Sequence, residues 1–175
     1  VDMSRGDYFA AEARYQSILA LSDKASLALL GMADIALKRK DEQGAIAWLV
    51  RAVAVDQDTM APAIRLINLY LAKDRVDEAF VQTEMFKRQH PEAMESHVLY
   101  AKVLEARSDA EGAIKSYRTA VRFAGFSGRD LLQIAAAQQR LKDFDGALNT
   151  LQKALETDDA LAAQAATVSL FIQRN

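Results

Sequence analysis

The sequence predicts an all-α protein built as a solenoid of stacked helix-turn-helix repeats, and two observations support that prediction. The first is composition: alanine is abundant, and the 175 residues include only 7 Gly and 2 Pro, which favours helices over turn-rich folds. The second is a phrase that recurs along the chain, as DEQGAIAWLVRAV at 41–53, DAEGAIKSYRTAV at 109–121 and DFDGALNTLQKAL at 143–155. Such recurrence is typical of repeat proteins, in which each unit packs on the next.

The repeat length follows from the alanine at the centre of each phrase. Looser copies of the phrase at 7–19 and 75–87 extend the series to five members. The central alanines, each 34 residues after the one before, are Ala11, Ala45, Ala79, Ala113 and Ala147. A fixed period of this size indicates stacked supersecondary units.

This register assigns the elements in chain order as one array over residues 1–175. Residues 1–25 hold the second helix of a truncated repeat, and 26–59, 60–93, 94–127 and 128–161 are complete helix pairs. Residues 162–175 form the first helix of a further repeat. Because the series starts and stops within a pair, and natural arrays finish in a polar capping helix, we expect the chain to be a piece of a longer array.

Turn residues mark where each pair bends. In the third unit, Pro62 suits the first turn of a helix over 61–72, and Pro91 ends the helix that follows the turn at 73–75. An aspartate precedes most of the second helices, where its carboxylate can accept hydrogen bonds from unpaired backbone N–H groups. These predicted caps are Asp7, Asp41, Asp109 and Asp143.

The period and the residues within it resemble the tetratricopeptide repeat. The second helix of that family carries an aromatic and another alanine four and seven positions after its small residue. Here those positions hold Tyr15 and Ile18, Leu49 and Ala52, Thr83 and Phe86, Tyr117 and Ala120, and Leu151 and Ala154. The first helices supply the family's small residue as Ala33, Ala101 and Ala135, whereas Ile67 departs from it, so we expect the third repeat to be repacked. The resemblance implies a right-handed superhelix and a role in binding proteins.

Composition excludes several classes of function. The formal net charge of −2, from 22 basic and 24 acidic residues, argues against nucleic-acid binding, which needs a concentrated positive face. The chain has no Cys and therefore neither disulfides nor thiolate chemistry. No apolar run approaches the ~20 residues of a membrane span, so we expect no direct insertion into a membrane.

Catalytic constellations are missing from the sequence. The only histidines, His90 and His97, do not have the spacing of metal ligands, and we interpret both as structural residues. The glycines of GFSG at 125–128 are too few and wrongly spaced for a phosphate loop. We therefore expect a non-catalytic chain that needs no cofactor and no metal.

The resemblance implies that the first helices line a concave groove for a protein or an extended peptide. The candidate groove residues are Leu30, Asp34, Ile64, Arg65, Asn68, Val98, Lys102, Glu105, Leu132, Gln133, Gln139 and Arg140. The Lys/Asn and Lys/Arg clamp of chaperone-binding relatives does not appear among them, which disfavours capture of a chaperone's terminal carboxylate. Trp48, on the outer part of a second helix, is either packed on the convex face or an exposed anchor for a partner.

Two longer stretches, 27–79 and 135–156, resemble the repeat lipoproteins of the PEP-CTERM system in their Ala- and Leu-rich composition. Those lipoproteins are associated with exosortase and exopolysaccharide loci. That similarity implies a scaffold for export on the periplasmic face, anchored in a membrane by lipid through a parent chain. The alternatives are the targeting arm of a larger enzyme, such as a glycosyltransferase, and a cytoplasmic signalling adaptor.

The last predicted helix carries a cluster of large apolar residues, Val168, Leu170, Phe171 and Ile172. They cannot all face inward on one helix, so some apolar surface should stay exposed. Exposed apolar patches favour association, and we expect weak self-association through this helix.

Overall fold

Ten α-helices and no strand are found in the computed structural model, which describes residues 8–125 and 127–174. The helices are α1 (Tyr8–Leu21), α2 (Ser26–Lys38), α3 (Glu42–Val55), α4 (Ala61–Ala72), α5 (Val76–Gln89), α6 (Met94–Ala106), α7 (Ala110–Phe123), α8 (Gly128–Arg140), α9 (Phe144–Ala154) and α10 (Ala160–Arg174). The all-α prediction is confirmed. The tenth helix begins at Ala160, two residues before the expected position 162, and α9 is shorter than the other second helices.

The chain divides into two compact units, Val1–Arg75 and Val76–Asn175. In the first unit, α2 and α3 form a closely packed pair, with α1 lying on α2 and α4 on α3. In the second unit, the pairs are α6 with α7 and α8 with α9; α5 packs on α6, and α10 packs on both α8 and α9. Within each unit, helices that follow one another in sequence therefore pack together, as expected for stacked helix pairs.

The turn inside each pair has one geometry. Its first residue has a positive φ, which is 61° at Lys40, 55° at Asp74, 63° at Ser108 and 62° at Lys142. The next backbone N–H returns to a carbonyl five residues earlier, as from Asp41 to Ala36 O at 2.9 Å. This is the Schellman end of a helix, which satisfies carbonyls that would otherwise be unpaired.

Aspartate caps follow these turns in three of the pairs. Asp41 accepts a hydrogen bond from Gly44 N at 2.9 Å, and the pairs Asp109–Gly112 and Asp143–Gly146 repeat the arrangement at 2.9 and 3.1 Å. A Cβ at Gly44 would lie 2.1 Å from the capping carboxylate, so the glycine leaves room for the cap. The predicted caps are confirmed at these three positions, and Asp7 lies outside the described residues.

The repeated alanines occupy the core. All five of them are buried, as are the small residues Ala33, Ala101 and Ala135 of the first helices. Their small side chains let neighbouring helices approach closely. Ile67 of α4, and Thr83 and Phe86 of α5, are buried as well, and the repacking of the third repeat stays a prediction.

Lys40 offers a test of the turn geometry. A left-handed backbone costs an L-residue roughly 1–2 kcal/mol, and the greater backbone entropy of glycine offsets about 0.5–1 kcal/mol of that. We therefore expect Lys40→Gly to raise the free energy of unfolding by up to about 1 kcal/mol, measured from urea midpoints.

The matched control is Lys38→Gly, at the exposed last residue of α2. Glycine within a helix costs up to about 1 kcal/mol relative to good helix formers, so this variant should be less stable than the parent. Shifts of the same sign in the two variants would contradict the role assigned to the turn.

Candidate functional site

In the first unit, the predicted groove residues Leu30, Asp34, Ile64, Arg65 and Asn68 lie on α2 and α4. We call them the first-helix face of that unit. Arg65 donates to the Asp34 carboxylate and so links the two helices with an ion pair. Burial lowers the pKa of Arg65, yet an arginine keeps its charge at such a site. Leu30 and Ile64 are half-buried beside the pair, and Asn68 is exposed.

In the second unit, the predicted groove residues lie on α6 and α8 and form its first-helix face. They are Val98, Lys102, Glu105, Leu132, Gln133, Gln139 and Arg140. Val98 and Leu132 pack against the buried core cluster, whereas Lys102 and Gln133 are exposed. An apolar base with exposed polar side chains beside it is the composition expected of a binding surface for a polypeptide.

Glu105 is held in place by two neighbours. The buried Tyr117 hydroxyl of α7 donates to Glu105 Oε1 at 2.5 Å, and Arg140 Nη2 of α8 lies 3.3 Å from Glu105 Oε2. Burial raises the pKa of Tyr117, and the hydrogen bond to Glu105 raises it further, so the hydroxyl remains a donor at neutral pH. These two contacts hold the carboxylate of Glu105 between α7 and α8.

A third polar link joins the next pair of first helices, where Gln139 Nε2 donates to Gln173 Oε1 at 2.6 Å. The sequence pattern predicts that Asp34, Arg65, Glu105 and Arg140 lie on these faces but does not predict their pairing, and Gln173 is not among the predicted residues. The sequence held a signal that could have predicted these links, because each of the three joins polar residues about one repeat apart in the chain.

The histidines have structural contacts. The His90 ring lies 5.0 Å from the ring of Phe86 at the end of α5. His97 Nε2 lies 2.8 Å from Pro91 O, and its ring stacks on Phe123 at 5.2 Å. Among the residues that the structure describes, no three His, Cys, Asp or Glu side chains are grouped so as to hold a metal ion.

Asp143 is the most buried carboxylate among the described residues, with 3% of its side chain exposed. Both of its oxygens face Arg118 of α7, with Arg118 Nε at 2.9 Å from Oδ2. Gln138 Nε2 of α8 lies 3.5 Å from Oδ2. Burial by itself raises the pKa of Asp143, but the hydrogen bonds from Arg118 and from Gly146 N–H outweigh it and hold the pKa below its ordinary value.

The second helices of this unit offer little that could enclose a ligand. A depression of about 460 Å³ between α7 and α9 is lined by residues that include Arg122, Asn149 and Lys153, and it is open to solvent. In the first unit, Trp48 is half-buried with the Arg51 guanidinium 4.8 Å from its ring centroid. No described helix is both long and apolar enough to cross a bilayer.

A match to a known protein family covers most of the chain. Residues 6–123, more than half of the chain, match the family described as the tetratricopeptide repeat protein 21 second ARM domain. The chain belongs to that family. No curated protein matches it.

Solved structures share the tetratricopeptide fold with this chain. Yeast Tom70 superposes with a TM-score of 0.71 at 21% identity, over 93% of this chain and 36% of that protein. TTC0263, a thermophilic TPR protein of Thermus thermophilus, gives 0.68 at 19% identity, over 97% and 93% of the two chains. YrrB, described as a TPR protein with an unusual peptide-binding site, gives 0.60 at 14% identity, over 94% and 85%. These similarities establish the fold, and the resemblance to tetratricopeptide repeats is confirmed.

The bond between Tyr117 and Glu105 should appear as coupling in this tetratricopeptide chain. We expect Tyr117→Phe and Glu105→Gln each to lower the free energy of unfolding, and the double variant to lose less than their sum. Partners in one hydrogen-bonded network typically couple by about 0.5–3 kcal/mol. Urea denaturation of the parent, the two single variants and the double variant measures this coupling energy. The control is Glu111→Gln, at an exposed position of α7, which should change the free energy of unfolding by less than about 0.5 kcal/mol. Additive effects would contradict the network.

The Asp143 network should make stability depend on pH. Because the folded pKa of Asp143 lies below its unfolded value of about 3.9, the stabilisation is complete above that value and is lost as pH falls through the folded pKa. At pH 7, Asp143→Asn should cost about 1–3 kcal/mol, since it weakens charge-assisted hydrogen bonds. The difference between parent and variant should shrink in urea titrations at progressively lower pH.

The control for this prediction is Asp109→Asn, at the equivalent but exposed cap of α7. Asparagine caps helices about as well as aspartate, so the loss at pH 7 should stay within about 0.5 kcal/mol. Equal losses in the two variants would show that capping alone, and not the Arg118 ion pair, accounts for the role of Asp143.

Proposed function

We propose that this chain is a non-catalytic protein-interaction scaffold whose first-helix faces bind an extended peptide or protein segment. The observation that supports it is the set of polar links along those faces. Asp34 with Arg65 and Glu105 with Arg140 join successive first helices, and exposed side chains lie beside them. Side chains fixed in advance lose less entropy when a ligand binds.

The exposed residues of the two faces suit a polypeptide ligand. The side-chain amides of Asn68 and Gln133 can each donate to and accept from a peptide backbone, and Lys102 can donate to a carbonyl or a carboxylate. Half-buried Leu30 and Ile64 provide apolar contacts on the face of the first unit, and Val98 and Leu132 do so on the face of the second. An extended segment exposes both its backbone groups and its side chains, so on either face it can use both the polar and the apolar partners.

Two further points support this assignment. YrrB, which shares the fold, is described as having a peptide-binding site, and by analogy we assign a ligand of the same class. Three ionisable groups of the described residues are engaged in structural contacts: both histidines contact aromatic rings, and Asp143 is paired with Arg118.

For the biological setting, we infer a scaffold in bacterial exopolysaccharide and protein-sorting export, placed on the periplasmic face through a lipid anchor of a parent chain. The support is the Ala- and Leu-rich composition of residues 27–79 and 135–156, which resembles that of the repeat lipoproteins. The full-length gene product tests it. A lipidated cysteine upstream supports the inference, whereas a catalytic domain in the same polypeptide favours the alternative of an enzyme's targeting arm.

Peptide binding can be tested with three variants of the first-helix faces. Extended peptides are selected from a displayed random library against the whole chain, and their affinities are measured by calorimetry. We expect Asn68→Ala to weaken a peptide bound to the face of the first unit roughly fivefold or more, the loss typical of a contributing interface residue. Lys102→Ala and Gln133→Ala should each do the same for a peptide bound to the face of the second unit.

The controls are matched in residue type and lie on exposed positions of second helices: Asn149→Ala, Lys115→Ala and Gln152→Ala. They should leave the affinity unchanged. Peptides that lose affinity only in the control variants would place binding on the opposite side of the helix pairs and overturn the proposal.

A further inference from the structure

The depression of about 460 Å³ between α7 and α9 is rich in positive charge. Its charged lining residues are Arg118 and Arg122 from α7, and Asp145 and Lys153 from α9. Three cations therefore face one acid, although the whole sequence has a formal net charge of −2. The excess of positive charge is a local feature of this surface and does not follow from composition.

Two of these four side chains are already paired. Arg118 Nε lies 2.9 Å from Oδ2 of the buried Asp143. Asp145 Oδ1 lies 3.2 Å from Arg174 Nη1 of α10. Because the acid of the lining has its own partner, it does not neutralise the remaining two cations of the depression.

These two cations are Arg122 and Lys153, and both are exposed. Neither has a carboxylate partner among residues 8–125 and 127–174, which the structure describes. Lys153 Nζ lies 3.4 Å from Val121 O, next to Arg122 in the last turn of α7. That carbonyl uses one of the three N–H donors of the ammonium group. The two cations thus lie near each other, one from each helix, with donors left for a ligand.

The depression one repeat earlier, between α5 and α7, has a different charge. It measures about 400 Å³, and the lining residues that are charged at neutral pH are Lys87, Asp109 and Lys115. Lys87 Nζ lies 3.1 Å from Glu84 Oε1 and is neutralised there, and Asp109 balances Lys115. Positive charge in excess is therefore a property of the depression between α7 and α9, and the repeat as such does not produce it.

The shape and the charge of the depression between α7 and α9 suit an acidic stretch of polypeptide. The depression is open to solvent, so it does not enclose a small molecule as a deep pocket does. A flat bilayer surface touches chiefly the ridges of the helices, whereas a single extended chain fits between two of them. Carboxylates of such a chain can reach a guanidinium from one helix and an ammonium from the other, and charge-assisted hydrogen bonds are the stronger ones.

We propose that the depression between α7 and α9 binds an acidic segment of a partner protein, whose carboxylates pair with Arg122 and Lys153. This surface is built by second helices, so it is separate from the first-helix faces and does not rest on the function proposed for them. Because both cations are exposed, the complex should be weak and sensitive to salt.

The probe is a fluorescein-labelled peptide of alternating Glu and Ser residues, compared with the same peptide carrying Gln in place of Glu. Fluorescence anisotropy measures the binding of each peptide to the whole chain at low salt. The parent should bind the Glu peptide and not the Gln peptide, and added salt should weaken the binding by screening. The double variant Arg122→Gln/Lys153→Gln should weaken it roughly tenfold, through the loss of two charge pairs.

The matched control is Arg88→Gln/Lys38→Gln, which removes the same total charge. Arg88 lies one repeat before Arg122, and its side chain is 76% exposed. Lys38 lies in the last turn of α2, as Lys153 does in α9, and neither control residue lines the depression between α7 and α9. Circular dichroism and urea midpoints confirm that both double variants fold. The control should bind the Glu peptide within about twofold of the parent.

Three outcomes overturn the proposal: the parent does not bind the Glu peptide, it binds the Gln peptide equally well, or the two double variants lose the same affinity. The last would show that total charge decides the binding. In the first case, cosedimentation with phosphatidylserine vesicles that depends on Arg122 and Lys153 would assign the surface to an anionic membrane instead.

Discussion

Close approach between helices is the constraint on which the structure of each unit depends. An alanine at the same place in every second helix is buried against its neighbours, and Ala113 and Ala147 have no exposed surface at all. Larger residues then fill the space beside the alanine, as Tyr117 and Leu151 do in α7 and α9. Apolar burial of this kind drives the packing, and its recurrence in the sequence reflects the recurrence of one interface.

The stacking of helix pairs at a fixed interval also arranges the polar groups. Since helix pairs stack at a fixed interval, residues about one repeat apart come within hydrogen-bonding distance, as in Glu105 with Arg140 and Gln139 with Gln173. The second helices use the interval differently: Arg118 reaches Asp143 at the start of the following second helix. The candidate binding faces are thus a consequence of stacking, and their side chains are positioned by the interfaces beneath them.

Prediction from sequence succeeded where the signal was local or periodic. Asp41, Asp109 and Asp143 were identified as caps because the preceding turn and the following glycine are visible in the sequence. The candidate residues of the first-helix faces were placed on the correct helices for the same reason. Their pairing was not predicted, and neither was the hydrogen bond from Tyr117 to Glu105, because each depends on side-chain directions in two or three helices at once.

The sequence by itself therefore determined the repeat length, the helical class, the turns and the buried alanines, since these follow from backbone preferences and from a period of 34 residues. Only the tertiary structure decided which charges meet and why Asp143 stays ionised although buried. The short α9 and the start of α10 at Ala160 were likewise visible only in the structure. These features depend on how whole helices lie against one another, and the repeat pattern in the sequence does not give the distances between side chains of different helices.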